Sequence, residues 1–356
     1  MTGPQVTTRA RPNRVANDAL RQHVELAAFL WAQRDTLLNA DPPDVQVAKS
    51  IGERLDVHLD ALRIAGAAAW PFAIEQWADF PDKGELFACV WLAIELEDEK
   101  GLNESIEFFR AERSAAYGFV GALEIHRADK IARWVRQWVP HEDTVRRQLA
   151  AHAIDVHKMD PGKTLLYLLK DSGAETRSIG LRLTARFRRI ELVEVVAALL
   201  DDRDAQVRFW AGIALAELGF GERARPDLEA VAASDDANAL TALRTLIKTT
   251  QPQEVRSWLG GLMRAENPMA VRAVGMLNDK TYLNWLVDRM REPAMAIAAG
   301  AAFLELFPDA AQEDDLFTID PAEAGLEFVH RFEYGDQRIP LADRVMEWAK
   351  AAGFVE

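Results

Sequence analysis

Apolar residues return every 31 positions along most of this chain, and few folds satisfy that constraint. Trp138, Leu169, Leu200, Val231 and Leu262 form one such series. Val135, Leu166, Ala197, Leu228 and Leu259 form another, three residues earlier. Positions three apart share a helix face, so both series mark the expected buried stripe of one recurring helix. A preceding helix keeps the same register: Val145, Leu149, Ala153 and Val156 are matched two units on by Val207, Ala211, Leu215 and Leu218. One and two units back stand Gly118 with Ala122, and Phe87 with Trp91. Gly118, Gly180 and Ala211 hold equivalent places, where small side chains allow neighbouring helices to approach closely. A helical pair this short cannot bury its own apolar face and must stack on its neighbours. The expected fold is all-α: an α-α superhelix, or solenoid, of about seven pairs near 83–112, 113–142, 143–173, 174–203, 204–235, 236–266 and 267–292.

Punctuation falls where such stacking needs it. Asp143, Glu175, Asp204 and Asp236 precede successive first helices, where a carboxylate can receive free amides. Pro161, Pro226 and Pro268 stand at expected helix starts, and Gly219 and Gly221 at a helix end. The flanks differ from the middle. Residues 1–16 are expected to be a disordered N-terminus, 17–82 a helical cap that seals the first pair, and 83–307 the repeats. Pro308–Tyr334 is acidic and loop-rich, and Val345–Phe354 has the pattern of a closing helix, so 308–356 is expected to be irregular with one terminal helix.

The net charge of −14 weighs against general affinity for nucleic acid, which binds through phosphate neutralisation. The charge is uneven: Glu75–Glu112 holds 11 acidic and 3 basic residues, whereas Arg127–Arg208 holds 16 basic and 12 acidic. Cys89 is the one cysteine and sits in an apolar run, as a small buried hydrophobe would. No apolar run reaches the ~20 residues of a membrane span and no secretory signal opens the chain, so a cytoplasmic protein is expected.

Asp201-Asp202-Arg203-Asp204-Ala205-Gln206-Val207-Arg208, followed by an alanine-rich helix ending in Leu218-Gly219, resembles the short HEAT repeat. Val145-Arg146 and Val271-Arg272 repeat its Val-Arg element, and Thr176-Arg177 keeps the arginine. The N-terminal segment, Gln22-His23-Val24-Glu25-Leu26-Ala27-Ala28-Phe29-Leu30-Trp31 with Leu55-Asp56-Val57-His58-Leu59-Asp60-Ala61-Leu62-Arg63, resembles the opening of an uncharacterised bacterial HEAT-repeat family. Members of that family are often encoded beside type VI secretion components. From about Leu316 the match is loose, with echoes at Ile339-Pro340-Leu341 and Trp348. The resemblance implies an accessory, adaptor or immunity role linked to type VI secretion, with a secretion component or toxin as partner.

Candidate chemistry is sparse. Arg146, Arg177, Arg208 and Arg272 recur at matching places, where an arginine pairs with a carboxylate at the neighbouring turn or meets a partner's acid. Arg133 and Arg136 flank Trp134 and Trp138, a combination that HEAT-like DNA glycosylases use along a groove. In the cap, His23 and His58 each lie two residues from a carboxylate, Glu25 and Asp60, and a histidine–carboxylate tie between helices is expected. His141-Glu142 is a single His-Glu pair, too few ligands for a metal site. No cofactor motif, nucleophile elbow or phosphate loop is present. The reading is a non-enzymatic scaffold whose second helices bind a protein. The alternative is a HEAT-like enzyme acting on nucleic acid.

Overall fold

A computed structural model describes residues 14–313, 315–335 and 337–355. Most of the residues expected to form a disordered N-terminus therefore lie outside the described ones. The chain divides after Met159 into two units.

The first unit opens with α1 (Arg14–Leu38) and α2 (Val45–Ala65), which run antiparallel, with His23 beside His58 and Arg34 beside Gly52. Asp44 caps α2 by accepting the Val47 amide. A short α3 (Trp70–Asp79) leads into α4 (Lys83–Glu95), whose residues Leu86–Ile94 are all buried. A helix buried all round must be covered on every side. The remaining helices are α5 (Glu99–Ala111), α6 (Ala116–Ile125), α7 (Ala128–Trp138) and α8 (Thr144–Val156). Helices α4, α6 and α8 form the inner series. Trp31 of α1 stacks on Phe87 at 4.7 Å, so the cap extends the same core.

The second unit continues with α9 (Thr164–Leu169), α10 (Ala174–Arg186), α11 (Val193–Ala198), α12 (Ala205–Leu218), α13 (Arg225–Ala232), α14 (Ala239–Thr249), α15 (Pro252–Arg264), α16 (Pro268–Met276), α17 (Leu283–Met290) and α18 (Ala296–Leu306). The even-numbered helices pack side by side and the odd-numbered ones flank them. Two-residue strands β1 (Phe317–Thr318) and β2 (Ile339–Pro340) pair antiparallel, Phe317 opposite Pro340. Single-turn helices α19 (Pro321–Ala324) and α20 (Leu326–Val329) lie between them. The last helix, α21 (Ala342–Ala351), packs on α17, and Trp348 joins Phe303, Phe307 and Phe354 in an aromatic cluster. The fold is all-α, of stacked HEAT-like pairs, with almost no sheet.

Local chemistry sets the helix ends. Asp143 and Asp204 cap α8 and α12 with their side chains, whereas Glu175 lies inside the first turn of α10 and Asp236 holds the turn before α14. Helices α4, α8, α10, α12 and α15 end on residues of positive φ: Glu97, Lys158, Arg188, Gly219 and Glu266. In each, the next amide returns to a carbonyl in the last turn, as from Arg189 to Thr184 at 3.1 Å and from Phe220 to Leu215 at 2.8 Å. Only one of the five is glycine, so the others hold their left-handed conformation against the Cβ penalty.

The apolar series of the second helices is buried unevenly. Trp138, Leu169 and Leu228 are inside, but Leu166 is exposed and Leu200, Val231 and Leu262 are only half-buried. A flanking helix has neighbours on one side only, so its stripe is narrower than that of an inner helix. Among the described residues no helix is long and apolar enough to cross a membrane.

Candidate partner-binding surface

Three arginines repeat one geometry. Arg147, Arg177 and Arg208 each stand four residues past the helix caps Asp143, Gly173 and Asp204. Each points Nη1 back at two carbonyls of the preceding loop: His141 and Glu142, Asp171 and Ser172, Asp202 and Arg203, at 2.7–3.1 Å. Side chains of a helix lean towards its N-terminus, so this position reaches its own entry loop. The recurring arginine is therefore Arg147, one residue later than the expected Arg146. The caps of α8 and α10 are 30 residues apart instead of 31, which displaces the count. Arg146 itself donates to Asn103 at 2.9 Å and pairs with Asp143.

The other sequence-selected arginines divide by environment. Arg177 also forks onto Asp202, both bonds at 2.9 Å, and is nearly buried. Burial alone would raise the Asp202 carboxyl, but the Asp204 amide and this guanidinium outweigh it and hold the pKa below the usual range. Arg272 is buried and pairs with Glu305. Arg133 binds the Glu97 carboxylate at 3.0 Å and lies over Trp134. Arg136 is exposed and forms no ion pair among the described residues. Trp134 and Trp138 are only 4% and 2% exposed and stack on each other, so neither offers a face to a nucleic-acid base.

In the cap, the two histidines meet each other instead of the expected carboxylates. His23 Nδ1 and His58 Nδ1 are 2.9 Å apart, one ring donating N–H to the other. The ring centroids are 5.1 Å apart, which puts both nitrogens nearly on the line between them, as a hydrogen bond requires. Two imidazoles converging on one metal at ~2.0–2.1 Å with that N–N separation would bring the centroids to roughly 4.5 Å. Burial, then His23 and Arg54, pull the His58 pKa below its ordinary value. Glu25 turns to Gln76 on α3, accepting at 2.9 Å, and Asp60 pairs with Arg63 on its own helix. Two residues along a helix is a rotation of about 200°, so neither acid shares the histidines' face. Among the described residues no three His, Cys, Asp or Glu side chains are grouped to hold a metal ion.

The surface that sequence patterning missed lies between α9 and α11. These flanking helices have six residues each; α9 packs on α10, and α11 on α12, leaving a seam between the two. One depression of about 480 Å³ lies at the seam's beginning, lined by Lys163, Leu166, Tyr167, Arg189 and Leu192. A wider one of about 830 Å³ lies at its end, lined by Lys170, Glu194, Val195, Leu199 and Arg203, with the Arg177–Asp202 pair in its wall. Tyr167 is 76% exposed, Ile190 52% and Leu166 37%. In α11 only Val196 is fully buried. The run Leu165-Leu166-Tyr167-Leu168-Leu169 is apolar throughout, so no periodicity distinguishes its buried leucines from its exposed ones.

Residues 162–262 match the family model for HEAT repeats, a stretch that contains the whole seam. The match supports a HEAT-repeat affiliation. No curated protein and no solved structure matches the chain.

Proposed function

We propose that this chain is a non-enzymatic scaffold that binds a protein partner through the α9–α11 seam. The observation that carries the reading is the exposure of Leu166 and Tyr167 in the depression at the seam's beginning, within the stretch that matches HEAT repeats. Large apolar side chains gathered at an open depression lower their free energy when a partner covers them. The resemblance of residues 22–66 to a family encoded near type VI secretion supplies the setting: a cytoplasmic accessory or adaptor of that machinery, or an immunity protein that holds a toxin.

The test compares the tagged full chain with a Leu166→Glu/Tyr167→Glu variant in the native host, each with a cross-linker. One stoichiometric protein recovered with the wild type and lost with the folded variant is expected. Identical recoveries from both, or no specific protein from either, would refute the reading. A toxin as the recovered partner, neutralised in vitro by the chain, selects immunity; a structural secretion component selects the accessory role.

A further inference from the structure

We infer that the seam between α9 and α11 takes an acidic peptide segment with apolar anchors. This rests on the scaffold reading above and adds the chemistry of the partner. The chain carries −14 overall, yet residues 162–203 hold 8 basic and 6 acidic side chains. Internal pairing shifts the balance further. Asp202 is held by Arg177, Asp201 by Arg223 and Glu191 by Arg189. Lys163, Lys170 and Arg203 are exposed and form no ion pair among the described residues. The carboxylates that line the two depressions are Glu191, Glu194 and Asp202, of which Glu191 and Asp202 are paired with Arg189 and Arg177.

The positions matter as much as the count. Lys163 stands at the beginning of the seam, in the depression with Tyr167, and Lys170 and Arg203 stand at its end. Between them lie Leu166, Leu192, Val195 and Leu199. From Lys163 to Lys170 is about 10 Å along a helix axis, which spans two turns of a bound helix or three extended residues. A fitting segment has two or three apolar side chains with a carboxylate on each flank. A basic segment would meet unpaired cations at both ends. Single-stranded nucleic acid would meet those cations too, but its bases stack on aromatic faces, and here Tyr167 stands among aliphatic walls. Rim charges of this kind raise association rates and select partners, while the apolar anchors hold them.

The experiment pans a displayed library of random 12-residue peptides over the immobilised full chain. It then measures synthetic copies of the winners by fluorescence anisotropy. A Lys163→Glu/Lys170→Glu/Arg203→Glu variant and a Leu166→Ser/Tyr167→Ser variant serve as controls, each checked for folding by circular dichroism. Winners with an acidic–apolar–acidic pattern are expected. Their affinity should fall about tenfold in the charge-reversed chain and on raising salt from ~0.05 to ~0.5 M. Neutral or basic winners that still need Leu166 and Tyr167 would overturn the acidic assignment while leaving the seam as a docking surface. Winners indifferent to both variants, or none, would overturn both readings. A thymidine 12-mer whose binding needs the three cations, with no peptide enriched, would reassign the seam to nucleic acid. Self-association abolished by the charge reversal would assign it to a second copy.

Discussion

Gly118 lies on α6 where that helix crosses α4, and replacing it with alanine tests whether the spacing of the inner series is set by backbone contact. A Cβ at this position would sit 1.9 Å from the Lys83 carbonyl oxygen and 2.9 Å from the Phe87 amide nitrogen. Both are backbone atoms of a helix buried all round, so no side chain can swing aside. The helices must separate by about 1.1 Å for the closest contact to reach 3.0 Å, and gaps of that size forfeit a quarter to a half of the dispersion attraction they open. Overpacking of this kind costs ~1–3 kcal/mol, and the better helix propensity of alanine returns at most about 1 kcal/mol. The expected net loss for Gly118→Ala is about 2 kcal/mol. Gly180 lies two periods on by the 31-residue count, but its Cβ would face the flanking helix α9, meeting Leu168 and Leu169 at 3.2 Å, a shortfall of a few tenths of an ångström. Gly180→Ala should change stability by less than ~1 kcal/mol. Urea unfolding of both full-length variants, followed by far-ultraviolet circular dichroism and tryptophan fluorescence, measures the difference. If Gly118→Ala unfolds with wild-type stability, or Gly180→Ala proves the more damaging, close backbone contact does not set the α4–α6 distance.

Arg177→Met removes the fork onto Asp202 and both loop carbonyl bonds, leaving a shielded carboxylate without its partner, and should cost ~3 kcal/mol in thermal or urea unfolding; Arg177→Lys should recover only part, because an ammonium cannot form the fork. His126 is buried, bonded to the Trp91 carbonyl, and burial pushes its pKa down to about 4. Its folded pKa lies below the unfolded value of ~6.5, so its share of stability is fully present above pH ~6.5 and declines as pH falls towards 4, by up to about 3 kcal/mol. Urea midpoints measured across that range should fall, and more shallowly in His126→Gln. Arg188 ends α10 at a φ of 50°, so Arg188→Gly should stabilise by up to about 1 kcal/mol; a loss would show that the arginine side chain outweighs the backbone strain.

The inner helices were legible because every residue of Leu86–Ile94 and most of Val207–Leu218 is buried, and apolar runs at constant spacing leave one arrangement that covers them. The arginine ladder was legible only to within one residue. Counting by 31 lands on Arg146, and the shorter step between the caps of α8 and α10, which places Arg147 instead, shows only once the caps are known. The cap histidines are visible in the sequence, but their contact depends on the register between α1 and α2, which no local pattern states.

Sequence alone was enough to establish an all-helical chain of repeating pairs, because hydrophobic burial is a property of spacing that any helix obeys. Which leucines remain outside was decided by tertiary structure. Leu166 and Leu228 occupy the same place in the period, yet one is exposed and the other buried. Helices α9 and α11 leave a seam between them, and whether an apolar side chain is covered depends on a neighbour that the period does not specify.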